Sequence, residues 1–509
     1  MSIPRPKDAS RQRANLARFE KKPTVVAIDL GATSCRVSLL QWHEDQPKIQ
    51  LVHRFANAPI PRNGHLCWDL PYICQQIENG LRACASLASE GIASIGIDGW
   101  AVDYVRLNPD GQPAGNPFCY RDERNIAAQK EVHSHILPER LYELTGIQVL
   151  PLNTLYQLRA DGPQNHFPWL NLPEYMLHYL GGRRVSEYTN ATHTQLLSTR
   201  NTWCEEIFSS AEIDIATAPQ LVMPGTDIGK VQRSFTSLKA FSSTKLIAPA
   251  CHDTASAIAG IPANEDSRDS AFISSGTWSL VGRVLDAPCI SAAAQKANFS
   301  NEGGIDGKIN FLKNVNGMWL VQQCIEAWQA EGHAWTLDSL ISESSSLPAP
   351  KHLLDLDDAD LLLPGDMPER IHRHFTNRSL PTVPQEGSKA SIVANLIFHS
   401  LAAHYAAVLS DLVQITGRPV KRIYIVGGGS KNALLNQLTE KATGLPVVTG
   451  SAESATIGNL AIQLASLAGD YTAETGVSSG AVAYWASILN EQALQQSTDE
   501  VLADSSVRI

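Results

Sequence analysis

Acidic residues and glycines at the ends of apolar segments carry the chemistry that this sequence suggests. Asp29 follows the apolar run 25–28, and the turn after it, Gly31-Ala-Thr-Ser34, holds small and hydroxyl-bearing residues. A carboxylate beside backbone N–H groups and hydroxyls suits Mg²⁺ bound to phosphate groups. A tight hairpin in which Asp29 bonds its own turn is the alternative. This stretch alone leaves both interpretations open.

The same motif occurs again far along the chain. In the segment 271–279, Gly276 corresponds to Gly31 and Ser279 to Ser34. Only the first copy carries a carboxylate, so the two halves would divide the work. Two matching hairpins, each with a glycine that lets a ligand approach the main chain, indicate two halves that face one phosphate chain. The sequence therefore predicts an ATP-dependent small-molecule kinase.

A third glycine turn, Gly427-Gly428-Gly429, follows the apolar run 422–426. Such a turn lets a flat group such as adenine or ribose lie against the backbone, and the N-terminus of a following helix favours negative charge. A tight strand-to-helix turn is the alternative. Neither a Walker A loop nor a GxGxxG fingerprint is present at the Asp29 turn.

The segment Cys251-His252-Asp253-Thr254 precedes a run of small residues that is typical of a close-packed helix. Asp253 can act as a simple helix cap. It can also accept the proton of a sugar hydroxyl, which phosphoryl transfer requires as that oxygen attacks phosphorus. The residues alone favour the cap.

Two carboxylates and an aromatic ring lie close together in Asp98-Gly99-Trp100-Ala101-Val102-Asp103. Carboxylates accept hydrogen bonds from hydroxyl-rich ligands, and an aromatic ring covers their C–H face. Core packing explains Trp100 equally well. This segment is the candidate sugar site.

The elements around these motifs predict an α/β fold. In the first half, two strands are followed by a helix that Asp69 caps and that runs to Gly91, and then by a strand at 95–98. The second half predicts helices at 316–330 and 389–416 and the strand 422–426. A further helix there would be capped by Ser430 and stopped by Gly444. The turn-rich region 105–250 is expected to hold insertions that shape the substrate site.

Size and charge limit the function classes. At 509 residues the chain should form two domains of about 250 residues each. Its net charge of −10 argues against nucleic-acid binding, although the first 22 residues are basic. That tail is expected to be solvated. It lacks a secretory apolar region and no run of 18 apolar residues follows, which predicts a cytoplasmic protein that does not bind membranes. The nine cysteines have no zinc spacing and are expected to be reduced.

From residue 24 onward, the chain resembles the FGGY carbohydrate kinases of the actin-like ATPase superfamily. The motifs that carry the resemblance are Ile28-Asp-Leu-Gly31, Tyr120-Arg-Asp122, Asn153-Thr-Leu-Tyr-Gln-Leu158, Tyr188-Thr-Asn-Ala-Thr192, His252-Asp-Thr-Ala-Ser256, Ser274-Ser-Gly-Thr-Trp-Ser-Leu280, Asn301-Glu-Gly-Gly304, Leu312-Lys-Asn314, Trp319, Gln322, Val426-Gly-Gly-Gly429, Asn432 and Leu434-Leu-Asn-Gln-Leu438.

The resemblance implies two RNase H-like, actin-like ATPase domains with an interdomain cleft. The expected boundaries are a basic tail at 1–23, a mainly sugar-binding domain at 24–250 and a mainly ATP-binding domain at 251–480. The segment 481–509 is expected to pack back on the first domain. Substrates and cofactor would be a ketose, ATP and Mg²⁺, and the protein would be a monomer or a homodimer.

The resemblance also implies roles for particular residues. Asp253 would be the catalytic base, which reverses the preference for a cap, and Asp29 would position the metal. Sugar contacts are expected from Asp98, Trp100, Ala101, His252, Asp253, Thr254 and Asn314. ATP contacts are expected from Ala32, Thr33, Ser34, Cys35, Arg36, Thr277, Gln322, Gly427, Gly428 and Gly429.

The chain departs from the family pattern in two places. The motif near the sugar usually reads Asp-Thr-Trp-Gly, whereas here Gly99 and Ala101 occupy the second and fourth positions. Cys35 stands where glycine is common, and its side chain would have to point away from the phosphates.

The expected reaction is ATP-dependent phosphorylation of L-rhamnulose at its 1-hydroxyl. L-fuculose is the alternative ketose, and a non-catalytic ATP-binding sensor is the alternative class.

Overall fold

A computed structural model of the protein describes residues 19, 22–164, 166–232, 237–262, 269–363 and 365–491. Most of the basic tail and the end of the chain after residue 491 lie outside the described residues. Two six-stranded mixed sheets form the framework.

The first sheet has the strand order β11-β12-β6-β1-β2-β3. Strand β1 pairs antiparallel with β2 and parallel with β6, and β6 in turn pairs parallel with β12. Its strands are β1 (Val25–Leu30), β2 (Ser34–His43), β3 (Gln46–Ala56), β6 (Ser94–Gly99), β11 (Thr226–Lys230) and β12 (Lys245–Ala248).

The second sheet has the order β15-β16-β14-β13-β17-β18. Strand β13 pairs antiparallel with β14 and parallel with β17, which pairs parallel with β18. Its strands are β13 (Ser270–Ser275), β14 (Trp278–Leu285), β15 (Ser300–Gly303), β16 (Ile309–Asn316), β17 (Arg422–Val426) and β18 (Val447–Thr449).

The two sheets repeat one arrangement. Strands β1, β2, β3, β6 and β12 correspond to β13, β14, β16, β17 and β18 in pairing direction and order. The predicted duplication of the hairpin is therefore present. It extends to five strands of each half.

Helices and short strands fill out the first half. Helix α1 packs on its sheet, and a segment between β6 and β11 holds most of the others. They are α1 (Leu70–Leu87), α2 (Arg124–His135), α3 (Pro138–Thr145), α4 (Thr154–Ala160), α5 (Leu172–Tyr179), α6 (Tyr188–His193), α7 (Glu205–Ser210), β4 (Ile60–Arg62), β5 (His65–Cys67), β7 (Tyr104–Arg106), β8 (Trp169–Asn171), β9 (Val185–Glu187) and β10 (Gln220–Val222).

The second half and the crossings between halves contain the remaining elements. They are α8 (Asp253–Ala259), α9 (Ala292–Lys296), α10 (Trp319–Ala330), α11 (Leu337–Ser344), α12 (Met367–Asn377), α13 (Ala390–Thr416), α14 (Ala433–Thr443), α15 (Ser454–Leu467), β19 (Tyr471–Thr472) and β20 (Gly476–Val477). Residues 479–491 form the C-terminal helix.

Local signals explain several boundaries. The Asp69 carboxylate accepts a hydrogen bond from Tyr72 N at 3.2 Å and so begins α1, which ends at Leu87, four residues before Gly91. Gly417 ends α13 in the left-handed conformation, as predicted. The helical stretch Gly387–Thr416 is apolar and long enough to span a bilayer, but 67% of its most apolar window is buried within the protein.

Two predicted helix starts are wrong. Helix α10 begins at Trp319, because strand β16 continues to Asn316 and pairs there with β14. Helix α14 is capped by Asn432, whose side chain accepts a hydrogen bond from Leu435 N at 3.0 Å. The predicted cap, Ser430, lies in a turn of 3₁₀-helix, Gly428–Lys431, which contains two of the three glycines and precedes α14.

Helices α8 and α15 cross where the chain passes between the halves. Gly458 of α15 lies so close to α8 that a Cβ atom there would come within 1.8 Å of the Ser256 carbonyl oxygen. One face of the first sheet, including Val25 and Leu40, is covered by these helices and by Trp485 of the C-terminal helix. The last described residues thus complete the core of the first half.

Candidate active site

A cavity of about 300 Å³ lies between the two duplicated hairpin turns. It is lined at one end by both turns and at the other by residues from the insertion between β6 and β11. The predicted site residues that line it are Asp29, Ala32, Thr33, Ser34, Arg36, Trp100, Ala101, His252, Asp253, Thr254, Thr277, Asn314, Gly427 and Gly428.

Four predicted site residues lie outside this lining. Cys35 is fully buried and its Sγ lies 3.5 Å from the Gly31 carbonyl oxygen, so its side chain points away from the cavity. Gly429 packs against Ser275. Gln322 lies on the exposed face of α10 and bonds Glu326, and the cavity does not support its predicted role. Asp98, the fourth, lies directly behind the cavity wall.

Asp29 lies at the phosphate end of the cavity. Its carboxylate is 2.9 Å from the Arg36 guanidinium, which also lies 3.2 Å from Glu453. Burial raises the pKa of Asp29 to about 6, Arg36 opposes that rise, and Asp253 adds to it. The charge on Asp29 is therefore only partly compensated by the protein.

Asp98 is the register partner of Asp29 on β6. Neither of its oxygens has an aligned hydrogen-bond partner among the described residues, and the side chain is fully buried. Burial and then Asp29 and Asp253 raise its pKa well above the usual range, while Ser256 and Asn459 oppose this. The two buried carboxylates and the partly exposed Asp253 thus disfavour one another's charge, and a divalent cation bound with the phosphates would relieve this repulsion.

Asp253 is the first residue of α8 and faces the cavity. About 33% of its side-chain surface is exposed. Burial raises its pKa, and hydrogen bonds from Thr254 oppose the rise. Asp253 is not the helix cap: His252 holds that position, and its side chain makes no capping hydrogen bond. The carboxylate is thus free to meet a ligand.

The loop before Asp253 is held by a buried acid. Cys251 N donates to Glu187 Oε2 at 2.8 Å, and His252 N donates to Thr189 Oγ1 at 3.1 Å. Thr189 N in turn donates to Glu187 Oε1 at 3.0 Å. The Tyr188–Thr192 motif, which sequence analysis left without a role, therefore positions His252 and Asp253.

Trp100 forms part of the sugar end, and Asp103 anchors it. The indole N–H of Trp100 donates to Asp103 Oδ2 at 2.9 Å, and Trp68 donates to the same oxygen. Asp103 is fully buried and so acts on Trp100 instead of facing a ligand. Val102 between them has φ 69°, a costly conformation for a β-branched residue, and Thr154 Oγ1 donates to its carbonyl at 2.7 Å.

The departure at Gly99 has a packing reason. A Cβ atom at Gly99 would come within 2.7 Å of Leu30 Cβ and 2.9 Å of the Leu30 carbonyl oxygen. Threonine, the usual residue of the family motif, does not fit this backbone position. Ala101 lines the cavity as expected, so its methyl group narrows the sugar end.

The second hairpin turn and the triple glycine meet at the other wall of the cavity. Gly427 has φ 79°, and a Cβ atom there would come within 2.9 Å of the Ser275 carbonyl oxygen. Gly428 has open space around it. Ser279, which corresponds to Ser34 in sequence, is buried and bonds Tyr405 at 2.6 Å. Its hydroxyl therefore does not reach the cavity.

Sequence analysis missed several residues that line the cavity. Gln148 Oε1 accepts hydrogen bonds from Asn314 N at 2.8 Å and from Asn314 Nδ2 at 3.1 Å, which fixes a predicted sugar contact. Arg54 Nε donates to Ser34 Oγ at 2.8 Å and adds a cation at the phosphate end. His193 and Glu302 complete the sugar end. Only Glu302 lay in a quoted motif, and no local signal marked the others.

Arg121 joins the two halves next to Tyr120 and Trp278, which line the cavity. Its guanidinium carbon lies 3.7 Å from the centre of the Trp319 ring and 5.1 Å from that of Trp278. Its Nη1 also donates to the Leu362 carbonyl at 2.7 Å. A cation from the first half is thus stacked and bonded by the second.

The duplicated sheets and the acid-lined cleft define a carbohydrate kinase of the actin-like ATPase fold. Two models of the FGGY family match the chain, the N-terminal domain over residues 24–260 and the C-terminal domain over residues 271–467. The chain belongs to the FGGY family of carbohydrate kinases. The predicted fold class, with its two domains, is confirmed.

Two relatives with curated names align with most of the chain. A rhamnulokinase of Bacteroides thetaiotaomicron is 37% identical over 450 residues, which cover 87% of this chain and 90% of that protein. A rhamnulokinase of Pectobacterium carotovorum is 39% identical over 454 residues, or 87% and 88% of the two chains.

Solved structures share the fold at low identity. A ligand-bound xylulose kinase from Lactobacillus acidophilus has a TM-score of 0.70 at 17% identity and covers 95% of this chain and 99% of its own. A Plasmodium falciparum glycerol kinase with ADP has a TM-score of 0.67 at 14% identity and covers 96% and 99%. As a family member, the protein is an enzyme that transfers a phosphoryl group from ATP, with Mg²⁺, to a sugar hydroxyl.

Proposed function

We propose that the protein phosphorylates L-rhamnulose at its 1-hydroxyl. The observation that carries the proposal is the place of Asp253: its carboxylate faces one cavity between the phosphate end at Asp29 and the sugar end at Trp100. The relatives named rhamnulokinase support the choice of sugar, because they match along most of the chain.

Asp253 acts as the general base. It accepts the proton of the 1-hydroxyl as that oxygen attacks the γ-phosphorus, and the bond to the leaving ADP oxygen breaks. Its raised pKa suits this task, because a more basic carboxylate takes a proton more readily. His252, whose pKa burial lowers well below its usual range, stays neutral and hydrogen-bonds the sugar.

The phosphate chain of ATP lies between the two hairpin turns. Backbone N–H groups of Ala32–Ser34 and the hydroxyl of Thr277 bind its oxygens, and Arg36 and Arg54 supply positive charge. The adenosine lies along Gly427 and Gly428. Bound Mg²⁺ would neutralise charge on the β- and γ-phosphates, and Asp29 would hold it directly or through water, with Asp98 behind it adding negative charge.

Positioning contributes most of the rate. Holding two reactants in line can lower the barrier by about 7–11 kcal/mol, whereas a well-placed base adds roughly 10²–10⁴-fold. The contacts of Arg121 with Trp319 support closure of the halves over the site. Closure also excludes the water that would otherwise hydrolyse ATP.

The test is Asp253→Asn in a coupled assay of ADP release that depends on added ketose. Turnover should fall by about 10²-fold or more, with the thermal midpoint unchanged. Asp227→Asn, which changes an exposed aspartate outside the cavity, is the matched control. Near-normal turnover in Asp253→Asn would remove it as the base.

Specificity constants for L-rhamnulose, L-fuculose, L-xylulose and D-xylulose test the sugar. The highest value should belong to L-rhamnulose. A preference for L-fuculose would establish the alternative ketose. ATP binding without ketose-stimulated ADP release would instead indicate a non-catalytic sensor.

We further propose the domain boundaries 24–250 and 251–480, with the segment from 481 packed on the first domain. Trp485, in contact with Trp42, supports the last point for the residues up to 491. A cytoplasmic location and a monomeric or homodimeric state complete the proposal. Light scattering of the purified protein would test the oligomeric state.

A further inference from the structure

Two polar atoms in the wall of the sugar end are left without a hydrogen bond. They are Nε2 of His193 and Oε2 of Glu302, and neither has an aligned partner in the part of the chain that the structure describes. The exposed fractions of the two side chains are 9% and 1%. Because unpaired buried polar groups are costly, such atoms on a cavity wall indicate a group that a ligand supplies.

The two atoms lie 2.7 Å apart without the alignment of a hydrogen bond to each other, and both side chains are held from behind. Glu302 belongs to β15, and its Oε1 accepts a hydrogen bond from Asn314 Nδ2 at 3.0 Å. His193 ends α6, and this helix is tied to β15 where Gly303 N donates to Thr192 Oγ1 at 2.9 Å. The pair therefore presents one donor and one acceptor at a fixed place.

Hydroxyl groups match this pair. A hydroxyl oxygen accepts from the imidazole N–H and its proton is donated to the carboxylate, so one sugar hydroxyl satisfies both atoms. Carboxylate acceptors make the stronger class of hydrogen bond. A methyl or hydrogen in the same place leaves both atoms unpaired, which penalises the wrong sugar.

The pair lies on the far side of His252 from the base. His252 Nε2 is 3.5 Å from Asp253 Oδ1, while His252 Nδ1 is 3.9 Å from Glu302 Oε2. The rings of His252 and His193 are 4.2 Å apart. The hydroxyl that meets the pair is therefore a different one from the hydroxyl that is phosphorylated.

A metal ion is the competing ligand, because His193, His252 and Glu302 place three ligand atoms within 4.8 Å of one another. Ligand atoms of a tetrahedral zinc site at about 2.0–2.2 Å from the metal are roughly 3.4 Å apart. The 2.7 Å between His193 Nε2 and Glu302 Oε2 is shorter than this, so the two atoms do not fit as ligands of one tetrahedral zinc ion. The geometry favours the hydroxyl.

We propose that His193 and Glu302 are specificity-determining residues that together bind one hydroxyl of the ketose, remote from the hydroxyl that is phosphorylated. This inference rests on the proposed function for its choice of ketoses. L-Rhamnulose and L-fuculose differ in the configuration of the hydroxyl at C4 alone. The pair would discriminate between two such epimers, because inverting the configuration at one carbon moves its hydroxyl away from the fixed donor, His193, and the fixed acceptor, Glu302.

The experiment compares Glu302→Gln and His193→Gln with the wild type on the four ketoses. Each variant should raise KM for the preferred ketose by about 10- to 100-fold and reduce the ratio of specificity constants between the C4 epimers by a similar factor. KM for ATP should change less than about twofold. An unchanged epimer ratio in both variants would overturn the proposal.

His374→Gln is the matched control. His374 is also buried against a carboxylate, with Nδ1 2.9 Å from Asp358 Oδ2, but it does not line the cavity. It should lower the thermal midpoint and leave the epimer ratio unchanged. If Glu302→Gln or His193→Gln does not fold, Glu302→Asp and His193→Asn replace it in the same comparison.

Two further measurements separate the outcomes. Calorimetric titration of the sugar-free wild type with Zn²⁺, repeated on His193→Gln, tests for a metal site, and stoichiometric binding that the variant loses would overturn the proposal. Calorimetric titration with each ketose measures binding without catalysis. If the wild type phosphorylates none of them, the proposed function fails, and the effect of each variant on ketose affinity then decides the role of the pair.

Discussion

The Arg36 guanidinium lies 2.9 Å from the Asp29 carboxylate, across the register pair that opens the first hairpin. The Arg36 cation thus faces a carboxylate whose ionised form is disfavoured by the carboxylates around it. Asp29 can hold Mg²⁺ only when it is ionised, and Arg36 is the residue that lowers its pKa. The ionisation of Asp29, and with it the charge of the metal site, therefore depends on the pH of the solution.

The first prediction is that the Mg²⁺ requirement depends on pH. The pKa of Asp29 is about 6 in the folded protein, above its ordinary 3.8. The folded state therefore binds this proton more tightly, and the stability that protonation contributes is lost as pH rises through about 6. Mg²⁺ needs the ionised form, so the half-saturating Mg²⁺ concentration should fall between pH 5 and pH 7 and then level off.

Asp29→Asn should remove that dependence and raise the Mg²⁺ requirement by about 10- to 100-fold. Magnesium titrations of ketose-dependent ADP release at fixed ATP give both values. Asp45→Asn, an exposed change at the hairpin between β2 and β3, is the control. A pH-independent Mg²⁺ requirement in the wild type would contradict the assignment.

The second prediction separates two neighbouring glycines. Gly428→Ala adds a methyl group that, apart from its neighbours in the chain, has no atom of the described residues within 4 Å, so the fold should keep its thermal midpoint. The methyl should intrude on the nucleotide and cost about 1–3 kcal/mol of ATP binding. Gly427→Ala should instead destabilise the fold, because the left-handed backbone there strains any side chain.

Thermal unfolding with and without ATP, together with KM for ATP, distinguishes the two variants. Equal loss of stability in both would mean that Gly428 is a structural turn and not a nucleotide contact.

The third prediction concerns the acid behind the catalytic loop. Glu187→Ala removes the acceptor of Cys251 N and of Thr189 N, and each buried donor left unpaired costs about 1–3 kcal/mol. The thermal midpoint and kcat should both fall, because His252 and Asp253 lose their support. Glu206→Ala at the surface pair with Arg140 should change neither, since such pairs contribute little. A stable but inactive Glu187→Ala would imply direct contact with substrate instead.

The fourth prediction concerns Arg121. Arg121→Ala removes the stacking of this side chain on Trp319 and its hydrogen bond to Leu362. The loss should weaken the association of the two halves by about 2 kcal/mol. ADP release without ketose should rise relative to the ketose-dependent rate, because water enters a less tightly closed site. Arg140→Ala is the control. An unchanged ratio of the two rates would show that Arg121 has no part in closure.

Sequence analysis succeeded where the signal was local. The hairpin at Gly31 and its copy at Gly276 could be aligned by eye, and Gly417 marked the end of a helix. It misplaced the start of α10, because strand β16 lacks a regular alternation of polar and apolar residues and its end is defined by pairing with β14. Likewise, Asn432 competes with Ser430 as a cap, and only the 3₁₀ turn decides between them.

The candidate site was harder to predict for a physical reason. Asp253, His252 and Trp100 belong to motifs that could be read in one stretch. Gln148 and His193 come from separate parts of the insertion between β6 and β11, and only tertiary packing brings them to the cavity. No periodicity or spacing in the sequence indicates that these two residues lie at the same cavity.

The C-terminal helix covers the strands with which the chain begins. Trp485 lies against Trp42, in a cluster with Val25 and Leu40, and α15 packs on the same face of β1. During synthesis on the ribosome, this face of the first sheet, whose last strand ends at Ala248, therefore lacks the cover of the C-terminal helix until residues 479–491 have been translated. The core of the first half is therefore incomplete until the last helix has been made. A chain that stops before residue 479 exposes part of an apolar sheet face, to which chaperones can bind.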